Sequence, residues 1–259
     1  MKKVVFLSIA ILTAVLIWFT CTNCRSIKRN STAKPVTHEI WNDLLKKHVA
    51  ADGFVRYKGF IQDSAKLNDY LRLLESAHPS DTGWTRQEQM AYWINAYNAY
   101  TVQLIVRNYP TKSIKDIKRG IAFVNSVWDI KFIKIQKYTY DLNNIEHNIL
   151  RPVFKDARIH AAVNCASYSC PKLLNEAYTA QDLENQLDKS MRNFVNDPLR
   201  NQITAENARI SEIFKWFKGD FERDAGSVRE YLNRYSKVKL TDKTDISHLD
   251  YQWSLNEAK

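Results

Sequence analysis

Residues 158–171 gather a histidine, a carboxamide, a hydroxyl and two thiols: His160, Asn164, Cys165, Ser167 and Cys170, ending at Pro171. No other window of the chain packs a thiol, an imidazole and a carboxamide so closely. A thiol attacks well as thiolate, which needs a nearby base or a positive environment, and the base in turn needs an orienting partner. Cys165 supplies a nucleophile, His160 a general base five positions before it, and Glu146 a carboxylate to orient that base. His147 is an alternative base. Asn164, Asn95 or a backbone N–H could hold an oxyanion. Asn95, Asn98, His147, Asn164 and Ser167 are the candidate binding residues around the three.

Two other chemistries use the same atoms. A disulfide between Cys165 and Cys170 would close a short polar loop and leave no thiol for catalysis unless the bond is redox-active. The domain would then be a non-catalytic module binding a peptide or other ligand. His147, His160, Cys165 and Cys170 could also be a zinc set, but Cys-x4-Cys with unpaired histidines is a poor zinc signature. Neither a metal nor a cofactor is expected.

The elements that must position these groups follow from periodicity. Residues 159–163 are short, apolar and β-compatible, so a strand is expected there, leading into a loop that delivers side chains. Residues 85–109 predict the longest helix. Met90, Trp93, Ile94, Tyr97, Thr101 and Leu104 form one stripe at about 100° per residue, and Ala91, Asn95, Asn98, Val102 and Ile105 a second beside it. Together they cover over half the circumference, so this helix should be buried. Asn95 and Asn98 then lie in apolar territory, and each must hydrogen-bond something, either loop backbone or a site. A helix over 144–150 carries Glu146 and His147 and is closed by Pro152. A hairpin is expected from strands at 127–135 and 137–142, with a short strand at 54–57. Further helices are expected over 64–77, 179–196, 212–217 and 228–235, with another after Thr37. Phe214, Trp216, Phe217 and Phe221 read as core, and Asp220 as the cap of a turn. Hairpins without regular βα alternation argue for one α+β domain, a long buried helix on a mainly antiparallel sheet.

The chain is 259 residues long and 45% hydrophobic, enough for a proper core. Its formal charge of +10 arises from basic residues scattered among 28 acidic ones. No run reaches the density of a basic arm and no nucleic-acid motif accompanies the charge, so nucleic acid is not an expected partner. Lys2 and Lys3 precede an uncharged stretch, residues 4–21. That is the layout of a signal peptide or a single membrane anchor. Cys21 and Cys24 close it as a lipid-bearing cysteine would in a bacterial lipoprotein, although Trp18 and Phe19 are bulky for such processing. The expected organisation is a signal peptide or membrane anchor over 1–24, a tether over 25–36 and a globular domain over 37–259. This places the body outside the cytosol in the cell envelope, attached to a membrane through its N-terminus, with a peptide or envelope polymer as partner.

With these residues in hand, the chain resembles the bacterial and plant domain-of-unknown-function family 547 (DUF547). The resemblance rests on Trp93-Ile94-Asn95-Ala96-Tyr97-Asn98-Ala99, Asn144-Ile145-Glu146-His147-Asn148-Ile149-Leu150-Arg151 and the stretch from His160 to Pro171. Ile213-Phe214-Lys215-Trp216-Phe217 with Asp220-Phe221, and Leu249-Asp250-Tyr251-Gln252-Trp253-Ser254-Leu255, complete it. Part of this layout is similar to papain- and transglutaminase-type cysteine hydrolases. That similarity implies a cysteine hydrolase or acyltransferase acting on peptide or amide bonds. Those enzymes carry a cysteine at the start of the buried helix, and residues 85–90 contain none. The similarity therefore implies either that Cys165 has taken the role from another loop or that the activity is gone.

Overall fold

A computed structural model describes residues 32–117 and 126–258. The expected signal or anchor segment and most of the tether lie outside the described residues. Among the described residues, no helix is long and apolar enough to cross a membrane.

In chain order the elements are α1 (Glu39–His48), α2 (Tyr57–Gln62), α3 (Ser64–Ser76), α4 (Arg86–Arg107), β1 (Ile133–Ile135) and β2 (Tyr138–Tyr140). A π-helix, Asn144–Phe154, comes next, then α5 (Ile159–Ala162) and α6 (Leu183–Val195). The last third holds β3 (Gln202–Ile203), β4 (Asn207–Ser211), α7 (Ile213–Trp216), α8 (Lys218–Ala225), α9 (Val228–Tyr235) and β5 (Asp245–Leu249).

Helix α4 is the axis. The Thr85 hydroxyl accepts the Glu88 N–H at 3.2 Å, and the Glu88 carboxylate accepts the Thr85 N–H at 2.7 Å, closing a capping box that fixes where the helix starts. Every residue from Met90 to Ile105 is buried, as two adjacent apolar stripes require. The long helix packs mainly on α2, α3 and the π-helix, and meets the β1–β2 hairpin only at its side, where Trp93 contacts Tyr140. The expected sheet scaffold is therefore corrected: about 49% of the described residues are helical and 11% are in strands or bridges. The strands make one two-stranded antiparallel hairpin and one three-stranded sheet of order β3-β4-β5, in which β4 and β5 run parallel. Ribbons of two and three short strands cannot cover a 22-residue helix, so helices do.

Around that axis, α1 buries Trp41, Leu44, Leu45 and His48 at helical spacing, and α3 buries Leu67, Tyr70, Leu71 and Leu74. The strand expected at 54–57 is only a pair of single bridges at Val55, after which the chain turns into α2. Gly59 permits this: a Cβ there would lie 2.3 Å from the His48 ring, so α2 approaches α1 through the missing side chain.

The core has two parts. One surrounds α4 and the other joins α6, β4, α7, α8 and α9. Helix α5 touches both: Ile159 and Ala162 belong to the first, Ala161 to the second. The strand expected at 159–163 is this short helix instead. Ile159, His160, Ala161 and Ala162 are all buried, which suits a helical turn pinned between two cores as well as a strand, and among the described residues no strand pairs with them.

Candidate active site

The π-helix begins where the Asp141 carboxylate accepts the Asn144 N–H at 2.6 Å, and it ends at Lys155 in the left-handed conformation, φ 48°. It runs through Pro152, which was expected to close it. An α-turn would press the proline ring on the carbonyl four residues back, and the wider winding relieves that contact. The same winding points Glu146 inward, where it is buried, and leaves His147 exposed.

The cysteine loop after α5 is held on one side by carboxamides and one guanidinium. Asn98 donates to the Ala162 carbonyl at 2.9 Å and accepts the Asn164 N–H at 2.8 Å. Asn95 treats Tyr178 the same way, donating to its carbonyl at 2.7 Å and accepting its N–H at 3.0 Å. Asn164 donates to the Pro171 carbonyl and accepts the Ala166 N–H. All three carboxamides are committed to backbone, so none is placed to hold an oxyanion. Removing the Asn98 side chain leaves a buried carbonyl and a buried N–H unpaired. At about 1–3 kcal/mol for each unsatisfied group, Asn98→Ala should lower unfolding free energy by roughly 2–6 kcal/mol in a denaturant titration. A change below about 0.5 kcal/mol would contradict this account of the loop.

Buried Arg200 donates to the Cys170 carbonyl at 2.6 Å and the Tyr168 carbonyl at 3.2 Å, and pairs with buried Asp197 at 2.6 Å. The C-terminal segment lies along the loop's other edge, through Tyr168 N–H to the Ser254 carbonyl and Asn256 N–H to the Ala166 carbonyl. It carries Tyr251 and Trp253 to the site.

The result is a cleft of about 210 Å³ at the seam of the two core clusters. Cys165, His160, Glu146, His147 and Cys170 line it together with Tyr97, Trp128, Phe217, Trp216, Tyr251 and Trp253. Asn95, Asn98, Asn164 and Ser167 are not among its lining residues. Ser167 nevertheless reaches the sulfur from behind.

Both cysteines are free thiols; Cys165 is half-buried and Cys170 buried. The Cys165 sulfur lies 3.0 Å from the Cys170 sulfur, 3.2 Å from the Ser167 hydroxyl and 3.4 Å from the Tyr251 hydroxyl. Ser167 and Tyr251 are 2.9 Å apart. One of their two protons can bridge the oxygens while the other is given to sulfur. The hydrogen bond from Cys170 is the largest influence lowering the Cys165 thiol below its ordinary range; burial opposes it and the two hydroxyls reinforce it. Burial pushes the Cys170 thiol up. The proton shared by the pair is thus favoured on Cys170, and Cys165 is the sulfur favoured as thiolate.

His160 is buried, its ring stacked on Phe217 with centroids 3.9 Å apart. Its Nε2 lies 2.8 Å from an Asp220 carboxylate oxygen. That bond assigns the proton to Nε2 and leaves Nδ1 with a lone pair. Nδ1 has no hydrogen-bond partner among the described residues. Burial lowers the imidazole's pKa and Asp220 opposes the fall, so the ring is neutral at neutral pH. Asp220 also accepts from Arg151 at 2.6 Å and Arg223 at 2.9 Å. Burial pushes its carboxyl up, yet the hydrogen bonds from His160 and Arg151 outweigh that and hold it well below the usual carboxylate range.

The expected orienter, Glu146, is on the other side of the ring, its oxygen 4.0 Å from Nδ1 and outside hydrogen-bond reach. The group that orients His160 is Asp220, which the sequence suggested only as a turn cap. Glu146 instead meets the Tyr97 hydroxyl and the field of Cys165. Burial first, and the Cys165 charge second, raise its carboxyl to about 7. His147 packs near Phe217 and shares its Nδ1 with Arg151 at 3.0 Å. Among the described residues, no three His, Cys, Asp or Glu side chains are grouped to hold a metal ion.

The raised Glu146 carboxyl has a consequence for stability. Its folded value, about 7, exceeds the ordinary 4.5, so its contribution is present below pH 4.5 and is lost as pH rises through 7. The full loss is on the order of 3 kcal/mol. Glu146→Gln keeps an acceptor for Tyr97 without the charge. It should stabilise the protein by roughly 2–3 kcal/mol near pH 8.5 and by much less near pH 5, read by chemical denaturation at both. An equal change at the two pH values would show that the carboxyl titrates normally.

Comparison with known proteins bears on the same stretch. Residues 82–195 match the family described as protein of unknown function, DUF547. The match runs from before α4 to the end of α6, so it holds Glu146, His160, Cys165 and Cys170 and stops short of Asp220 and Tyr251. No curated protein and no solved structure matches the chain. Over residues 82–195, the chain is similar to the DUF547 family.

Proposed function

We propose that the cleft performs cysteine-dependent acyl transfer or hydrolysis on peptide or amide bonds, with Cys165 as nucleophile. The observation that carries this reading is the pairing in one cleft of a thiolate-favouring sulfur and a buried imidazole. That imidazole is fixed at Nε2 by Asp220, and its Nδ1 is buried with no hydrogen-bond partner among the described residues. In the acylation step the Cys165 sulfur forms a bond to the carbonyl carbon and the π pair moves to oxygen. The C–N bond then breaks, and the leaving amine takes a proton from the protonated member of the Glu146–His160 pair. A water or acceptor amine attacks the thioester, giving a proton to His160 Nδ1 as thiolate departs. Asp220 stabilises the imidazolium that forms. The uncharged stretch at residues 4–21 supports an exported, membrane-attached setting for this body.

4-Nitrophenyl acetate tests the reading. Trypsin releases residues 159–172 as one peptide, which holds Cys165 and Cys170 and no other cysteine. A burst of one nitrophenolate per chain, with acetyl on Cys165 in that peptide, is expected. Cys165→Ala should abolish both. No acetylation of a Cys165 that iodoacetamide does label would overturn the reading.

A further inference from the structure

The acyl-transfer reading uses one sulfur and leaves the second without a role. Cys170 is buried, and its side chain is aimed at Cys165 across 3.0 Å. The Cys165 N–H also donates to the Cys170 sulfur at 3.0 Å. Arg200 fixes the Cys170 carbonyl from behind, so the second thiol is held in this position rather than left to choose one. The loop between them turns at Ala166, whose φ of 61° puts it in the left-handed region, bringing two residues five apart face to face. Both cysteines line the cleft, but Cys165 is the more exposed: it is half-buried, whereas Cys170 is 3% exposed.

We propose that Cys165 and Cys170 form a reversible dithiol–disulfide couple that exchanges with low-molecular-weight disulfides, Cys165 being the attacking thiol and Cys170 the resolving one. In the first step the Cys165 thiolate attacks one sulfur of R–S–S–R. A Cys165–S–S–R bond forms and R–S⁻ leaves. In the second, the Cys170 sulfur attacks the Cys165 sulfur, releasing a second R–S⁻, and the Cys170 proton passes to one of the two released thiolates. Both protein sulfurs are oxidised, the small disulfide is reduced to one thiol and one thiolate, and no other reactant is needed. The sulfur partition suits this: the accessible member is the thiolate and the buried member keeps its proton until attack. The couple needs Cys165 to be reachable, as the acyl-transfer reading does, but needs neither His160 nor an acyl substrate. Closed as a disulfide, the pair removes the nucleophile, so the same cleft would be inactive in acyl transfer until reduced.

The test uses the full chain, reduced and desalted, then treated with 2-hydroxyethyl disulfide. After acid quench, blocking with N-ethylmaleimide and trypsin digestion, the 159–172 peptide is weighed. The expected peptide is lighter by two hydrogens, carries neither adduct nor maleimide, and regains both hydrogens with dithiothreitol. In Cys170→Ser the same peptide should keep the hydroxyethylthio group on Cys165. A wild-type peptide that retains the adduct, or that remains two free thiols, overturns the couple. The wild-type masses decide the matter even if the variant does not fold. Nitrophenyl acetate burst on the reduced protein reports the acyl-transfer reading separately. A missing burst with a normal two-hydrogen loss sinks that reading and leaves the couple standing; the reverse result does the opposite.

Discussion

Asp220→Asn is expected to slow turnover of 4-nitrophenyl acetate by roughly 10²–10⁴-fold with little change in KM. The carboxylate lies 2.8 Å from Nε2 of His160, also accepts from Arg151 and Arg223, and is held ionised by its hydrogen bonds from His160 and Arg151. It therefore does two things for the ring. It selects the tautomer that leaves Nδ1 basic, and it stabilises the imidazolium that forms when Nδ1 takes a proton. A carboxamide can offer its NH2 to Nε2 and so favour the opposite tautomer, and it carries no charge in either orientation. Asp220 does not itself line the cleft, so it is a positioning residue, and loss of fold alone could mimic its loss. The pH profile separates the two. Asp220 holds the His160 pKa up against burial, so the limb of the kcat profile that reports the imidazole should move to lower pH in the variant. An unshifted limb with a smaller amplitude would mean that only folded fraction had changed.

Arg200→Ala should cost on the order of 3–5 kcal/mol of unfolding free energy. The guanidinium is 4% exposed and its partner Asp197 6%. Truncation leaves a buried carboxylate with no guanidinium and removes the donor to two loop carbonyls. For a chain of this size that is a fall of roughly 10 °C in Tm. The effect should be chemical as well as thermal. Without Arg200 nothing on this side fixes Cys170, so both cysteines of the 159–172 peptide should take up iodoacetamide where only Cys165 does in the wild type. Arg200→Lys keeps the charge but has no planar fork, so it should recover part of the Tm while leaving Cys170 labelled. A variant that melts like the wild type would show that the buried pair contributes nothing net.

Much of the scaffold could be read from periodicity. The two stripes of residues 85–109 point to the burial of α4, because a long helix repeats its signal many times; the Thr85–Glu88 capping box that fixes its start is seen in the structure. Asn95 and Asn98 were correctly placed in apolar territory, and the need for a partner follows from desolvation alone; which backbone they hold depends on tertiary contacts 64–83 residues away. Short segments were less legible. Residues 159–163 suit a strand or a helical turn equally, and α2 was hidden because its approach to α1 depends on Gly59 meeting His48. At the site, local clustering brought Cys165, His160 and Cys170 to notice. Asp220 and Tyr251 lie 60 and 86 residues from their partners. One carboxylate after an aromatic run, and one tyrosine in a tail, carry no spacing signal that points back to a histidine or a sulfur. Their inclusion in the resembling stretches was the only available hint.

The most direct test of the account is the pH dependence of iodoacetamide labelling in the 159–172 peptide of the reduced, folded chain. The account predicts labelling of Cys165 alone, with a midpoint well below the ~8.5 of a free cysteine thiol, and a midpoint that moves up in Tyr251→Phe. Labelling of neither cysteine, or a midpoint at or above that of the free thiol, would contradict it.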